Sequence, residues 1–295
     1  MNEYRLPNET QIGQVHLQVS DLERALTLYS DLLGFQQVDP GGSTSTLSAT
    51  GLAPAQIVLT ERPGARRKPA GTTGLYHVAI RLPSRRALAQ VFKRLVANGW
   101  PFQGFADHLV SEALYLADPD GNGLELYVDR PREQWQQRNG QIVMATDPLD
   151  VEARLAQARE DGRRWNGIHP ETDVGHVHLH VSDLAEAEAF YGGLLGLDVT
   201  QRGYPGALFL SAGGYHHHLG LNVWAGKGAP PPPPEAVGLL AFSLRIPDED
   251  AWQILRDRVE ASGIRIDQPG NGASESGFLV RDPAGNGVEL RYENL

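Results

Sequence analysis

Six of the ten histidines in this chain fall in two short stretches, 176–180 and 216–218. Alternation along a strand would put His176, His178 and His180 on one face. Imidazoles at that density can ligate a divalent ion or move protons near neutral pH. A single strand histidine is ordinarily a satisfied core or surface residue; the clustering points to chemistry. Two carboxylates stand at matched places, Glu125 in Asp118-Pro-Asp-Gly-Asn-Gly-Leu-Glu-Leu126 and Glu289 in Asp282-Pro-Ala-Gly-Asn-Gly-Val-Glu-Leu290. There is no cysteine. Disulfides, thiolate nucleophiles, iron–sulfur clusters and zinc ribbons are therefore excluded, and any metal must sit on histidine, carboxylate or amide groups.

The elements that would position these groups repeat. Ile12-Gly-Gln-Val-His-Leu-Gln-Val-Ser-Asp-Leu22 matches Val174-Gly-His-Val-His-Leu-His-Val-Ser-Asp-Leu184, an offset of 162 residues, and Asp118 to Leu126 matches Asp282 to Leu290 at an offset of 164. One half of the chain duplicates the other. Within each half the pattern restarts. Val15, Leu17 and Val19 alternate as in a strand, Ser20-Asp21 caps a helix, and Leu22, Ala25, Leu26, Leu28, Tyr29 and Leu32 recur at helical spacing before Gly34. A second strand, Leu75 to Leu82, leads to a helix over Ser84–Ala97. Each quarter reads strand, helix, three strands. A short linking helix is expected over Asp150–Glu160. The five prolines Pro230 to Pro234 read as a stiff extended connector of roughly 15 Å between the third and fourth quarters.

The chain has 295 residues and a net charge of −10. At about 150 residues per domain this suggests two domains. The acidic balance argues against nucleic acid, which needs clustered positive charge. No apolar run reaches the length of a membrane span, and the first residues lack a signal-peptide pattern, so the expectation is a cytoplasmic protein with no membrane partner. Homo-oligomerisation is left open.

Four βαβββ modules in two halves, with the Ser-Asp-Leu cap, the Tyr near the helix end, the Leu-Leu-Gly that follows and the run Gly214-Tyr-His-His-His218, resemble the vicinal oxygen chelate superfamily. This group includes glyoxalase I, bleomycin-resistance proteins and type I extradiol dioxygenases. The likeness is greatest to the catechol 2,3-dioxygenase group. It implies an α+β fold in which modules pair into two eight-stranded cup-shaped sheets. Residues 8–130 are expected as an N-terminal pair, 131–172 as a linker with a short helix, and 173–295 as a C-terminal pair holding the metal.

The resemblance places ligands on the first and last strands of each module. Pairing within halves then yields Gln14, Gln56, His77 and Glu125 as one set, and His176, His218, Ala241 and Glu289 as the other. The second set has two histidines and a carboxylate, which suits divalent iron and also admits divalent manganese. The expected metal ligands are therefore His176, His218 and Glu289, with the N-terminal set a degenerate duplicate. His217 is the candidate acid/base residue and His178 its reserve, although strand parity sends His217 and His218 to opposite sides. Two family features are absent from the C-terminal half. Leu279 stands where a tyrosine is expected, and the loop Gln268 to Ser274 has no histidine. Phe209, Phe242, Leu244 and Phe278 are candidates for the walls of a ring pocket. The implied reaction is extradiol cleavage of a catechol-like diol by O₂, part of aromatic hydrocarbon breakdown. Glyoxalase-like isomerisation and metal-free sequestration are the alternatives.

Overall fold

The computed structural model describes residues 4–160, 165–268 and 277–293. The first module runs β1 (Gln11–Val19), α1 (Leu22–Leu26), β2 (Gln36–Gly41), β3 (Thr44–Ser48) and β4 (Ile57–Glu61). Asp21 caps α1 by accepting from the Arg24 backbone N–H, and α1 widens into a π-helical turn over Thr27–Leu32 that buries Leu28 and Tyr29. The second module runs β5 (Gly74–Arg81), α2 (Arg85–Ala97), β6 (Phe102–Asp107), β7 (Ser111–Ala117) and β8 (Gly123–Asp129). Ser84 caps α2. The connection to the second half contains β9 (Gln137–Arg138), β10 (Gln141–Ile142) and α3 (Val151–Glu160).

The third module repeats the first: β11 (Asp173–His180), α4 (Leu184–Glu188), β12 (Asp198–Gln201), β13 (Ala207–Ser211) and β14 (Leu219–Asn222). The fourth has β15 (Gly238–Ile246), α5 (Glu249–Ala261), β16 (Gly277–Arg281) and β17 (Gly287–Tyr292). Its remaining strand position is represented among the described residues by one bridge, Asp267 to Leu279.

The strand order overturns the expected pairing within halves. One sheet is β12-β13-β14-β11-β5-β8-β7-β6, so the third module pairs with the second. The other is β16-β17-β15-β1-β4-β3-β2, so the fourth pairs with the first. In each sheet two first strands meet antiparallel, β11 on β5 and β1 on β15. The connectors between sheets lie together. The link from β4 to β5 and the proline-rich link from β14 to β15 run side by side, joined by the Arg66–Ala236 bridge, by Val237 N–H to Arg66 O at 2.8 Å and by Thr73 N–H to Pro230 O at 2.9 Å. Gln18 fixes the same segment by donating to Pro234 O and Ala236 O. The proline run holds its link extended, and each of the two links carries the chain from one sheet to the other.

The two sheets are tied in a second way. Asp118 closes the turn before β8 by accepting from the backbone N–H groups of Asp120 and Asn122, and it also accepts from the Tyr29 hydroxyl. Asp282 does the same with Ala284, Asn286 and Tyr191. The repeated Tyr and Asp therefore bond between the two sheets, each pair within one half. Among the described residues no helix is long and apolar enough to cross a membrane.

Candidate metal centre

A single row crosses four strands of the eight-stranded sheet. His176 on β11 faces Ala79 on β5, Ala79 faces Glu125 on β8, and Glu125 faces Tyr115 on β7. Directly opposed residues point to the same face. The small Ala79 side chain leaves room for His176 and Glu125 to meet above it. His77 lies two residues before Ala79 and so shares the face. On β11 the register shifts between Val174 and His176, a bulge at Gly175 of the kind that re-aims a neighbouring side chain. A Cβ at Gly175 would lie 1.7 Å from the Tyr127 hydroxyl, so only glycine fits.

His77 Nε2 lies 2.9 Å and His176 Nε2 3.1 Å from the same oxygen, Glu125 Oε2. All three side chains are buried, and their ligand atoms lie within 4.8 Å of one another. His77 Nε2 satisfies no hydrogen-bond geometry despite that approach: it is directed beside the oxygen rather than at it. Cis ligands of an octahedral ion with bonds of about 2.1 Å stand about 3 Å apart, so this donor set fits one divalent cation. Burial lowers the His176 pKa to about 4 against the opposing pull of Glu125. Burial alone would raise the Glu125 carboxyl, but His176 and His77 hold it well below its usual range. Neutral imidazoles and an ionised carboxylate are the forms that bind metal.

The group opens into a cavity of about 360 Å³. His178, Phe209, His217 and Trp224 line it from the third module, and Phe105, His108 and Tyr115 from the second. The connecting segment supplies Met144, Ala145 and Thr146. The His217 ring stands 4.1 Å from the His176 ring and 4.9 Å from that of Phe209. Burial, then the neighbouring imidazoles, hold the pKa values of His178 and His217 well below the usual range. The Tyr115 hydroxyl lies 2.6 Å from His108 Nε2, and His108 Nδ1 lies 2.7 Å from the Ala145 carbonyl. A carbonyl only accepts, so Nδ1 carries the hydrogen and Tyr115 donates to Nε2.

Two of the expected ligands lie elsewhere. Glu289 is on β17 in the other sheet, where its carboxylate accepts from Arg291 at 2.9 and 2.6 Å. That guanidinium supplies the cation a metal would have supplied. His218 precedes β14 with parity opposite to His217; its ring stacks on Tyr215 and its Nδ1 accepts from the Ala212 N–H. It borders a separate cleft with Arg81 and Asp173. Gln14 and Gln56 line a smaller cavity of about 230 Å³ in the seven-stranded sheet, apart from His77 and Glu125. His77, Glu125 and His176 each stand at a ligand position marked by the repeats; pairing within halves would divide them between two sheets, and pairing across the halves brings them together. Tyr115 and His108 occupy in the second module the places that Leu279 and the loop Gln268 to Ser274 hold in the fourth, and the pairing of the second module with the third brings them to this site. Most of the loop Gln268 to Ser274 lies outside the described residues. Of the expected ring-pocket residues Phe209 lines the cavity; Phe242, Leu244 and Phe278 are buried on strands of the other sheet.

The Glyoxalase/Bleomycin resistance protein/Dioxygenase superfamily matches residues 11–126 and 173–290. Catechol-2,3-dioxygenase of Bacillus subtilis (strain 168) is 44% identical over 279 residues, 93% of this chain and 94% of that protein. Among solved structures, one from Bacillus subtilis subsp. subtilis str. 168 superimposes with a TM-score of 0.68 at 14% identity, covering 99% of this chain and 87% of that one. Glyoxalase I from Zea mays does so with a TM-score of 0.55 at 18% identity, over 96% and 92%. The matched segments are the four modules that build the two sheets, and the chain belongs to the Glyoxalase/Bleomycin resistance protein/Dioxygenase superfamily.

Proposed function

We propose that this protein is an extradiol dioxygenase that cleaves catechol-like vicinal diols with O₂, using a divalent iron held by His77, Glu125 and His176. The observation that carries the reading is the buried group of two imidazoles and one carboxylate opening into an aromatic-walled cavity. Two neutral ligands and one anion suit divalent iron and leave positions free. The likeness to a catechol-2,3-dioxygenase over nearly the whole chain supports it.

Bound there, the ion would supply the site for the two diol oxygens and for O₂ and would favour ionisation of the diol. The chain does the rest. His217, neutral and beside His176, accepts a proton from one diol hydroxyl. The Tyr115 oxygen, its hydrogen committed to His108, offers an acceptor in the same cavity. Phe209, Trp224 and Phe105 hold the ring plane and keep out water. No Lys or Arg is among the described residues that line the cavity, which favours a ring without an anionic substituent.

The test is anaerobic loading with Fe(II), addition of catechol, and exposure to air. A yellow ring-opened product is expected. Metal uptake without any diol cleavage would sink the reading and favour an isomerase. Failure to bind metal would favour sequestration of a small molecule.

A further inference from the structure

We propose that Asp129 and His216 form a positioning pair that dictates which ring nitrogen of His217 carries the proton. The inference rests on the reading of His217 as the base of the ring-cleaving site. Behind His217, away from the cavity, a chain of hydrogen bonds runs to Asp129 at the end of β8. His216 Nδ1 lies 2.8 Å from His217 Nδ1, and His216 Nε2 lies 2.9 Å from Asp129 Oδ1. His216 is wholly buried, so no solvent contact competes with these two bonds.

The direction of each bond follows from the carboxylate. Burial would raise the Asp129 pKa, but His216, Arg81 and Tyr215 together hold it below the usual range, so at neutral pH it is ionised and can only accept. Nε2 of His216 therefore bears the hydrogen. In a neutral imidazole the other nitrogen is then a bare acceptor, and the hydrogen of the short bond between the rings belongs to Nδ1 of His217. What remains on His217 is an unprotonated Nε2. Among the described residues it has no hydrogen-bond partner, and the ring that carries it lines the cavity against His176.

Asp129 is itself held in place. The Tyr215 hydroxyl donates to both of its oxygens, at 3.1 and 3.0 Å. Tyr127 therefore donates to the Tyr215 oxygen, at 2.7 Å. Arg81 adds a contact at 3.4 Å while its fork engages Asp173. When a diol O–H bond breaks, the proton has one nitrogen to join, Nε2, and the imidazolium that forms keeps its Nδ1–H directed at His216.

The test uses the full chain labelled with ¹⁵N-histidine, with the His217 signals assigned by their loss in His217→Asn. In the metal-free wild type, Nε2 of His217 is expected at an unprotonated shift and Nδ1 at an N–H shift. The reverse pattern, as a doubly protonated His216 would impose, overturns the proposal. Asp129→Asn keeps the size but offers His216 either an oxygen or an N–H, so the tautomer is no longer dictated. Loaded with Fe(II), this variant should keep its metal and its KM for catechol while kcat falls about 100-fold; an unchanged kcat overturns the proposal. A wild type that cleaves no diol at all would sink the ring-cleavage reading instead, and the wild-type nitrogen shifts decide the tautomer independently of it.

Discussion

His77 of β5 and His176 of β11 stand with their rings 5.6 Å apart across the junction of two modules from different halves of the chain. Neither half alone contains the group. Replacing His77, Glu125 or His176 singly by Ala should therefore abolish stoichiometric metal binding and lower ring cleavage by at least about 100-fold. His218→Gln and Glu289→Gln should retain one metal per chain. Metal analysis of the purified proteins decides this.

Gly220 of β14 faces the ring of His178, and a Cβ there would lie 2.8 Å from His178 Cγ and 3.0 Å from Cδ2. The ring is buried between His77 and Phe209 and cannot simply swing away. Gly220→Ala should push His178 into the cavity. The expected result is a folded protein that still binds metal, with kcat/KM lowered about tenfold, as overpacking at a fixed site predicts.

With no cation among its described lining residues, the cavity would leave a substrate carboxylate unpaired. Burying an unpaired charge costs several kcal/mol. Catechol and alkylcatechols should be cleaved with kcat/KM at least about 100-fold above that of 3,4-dihydroxybenzoate. Met144→Arg should narrow that gap. Equal rates on neutral and carboxylated diols would show that the cavity does not select by charge.

In the seven-stranded sheet Glu289 and Arg291 are both buried and bonded to each other. Breaking such a pair by Arg291→Ala leaves a lone buried carboxylate and should cost about 3–5 kcal/mol of stability. Glu289→Leu combined with Arg291→Met should recover most of the loss. Chemical denaturation of the three proteins provides the comparison, and metal content should stay unchanged in all.

Burial, with Arg291 nearby, lowers the His16 pKa to about 4; burial, partly opposed by a hydrogen bond to Asn222, lowers that of His180 to about 4 as well. In the unfolded chain both return to about 6.5. The folded state then binds fewer protons, so their contribution to stability is complete above about pH 6.5 and is lost as pH falls toward 4. The melting temperature of the metal-free protein should fall through this window. His16→Asn should make that fall shallower.

The sequence by itself determined the modules and the positions within them that carry chemistry. Alternation marked β1 and β11, Asp21 and Asp183 capped the helices they precede, and the duplicated Asp-Pro-x-Gly-Asn-Gly turn placed Glu125 and Glu289 at the same point of the same strand. Local physics decides such features: strand parity, cap geometry and turn closure reach only a few residues along the chain. Which first strand lies beside which was decided in the tertiary structure alone. Four modules of one pattern present similar edges, so any two could pair. In the folded chain two connectors, one stiffened by prolines, run side by side and carry it between the sheets. With β5 beside β11, His77, Glu125 and His176 share one face around Ala79, and Tyr115 and His108 come to the same cavity. With β1 beside β15, Glu289 lies in the other sheet from His77 and His176, and Arg291, two residues along its own strand, binds its carboxylate.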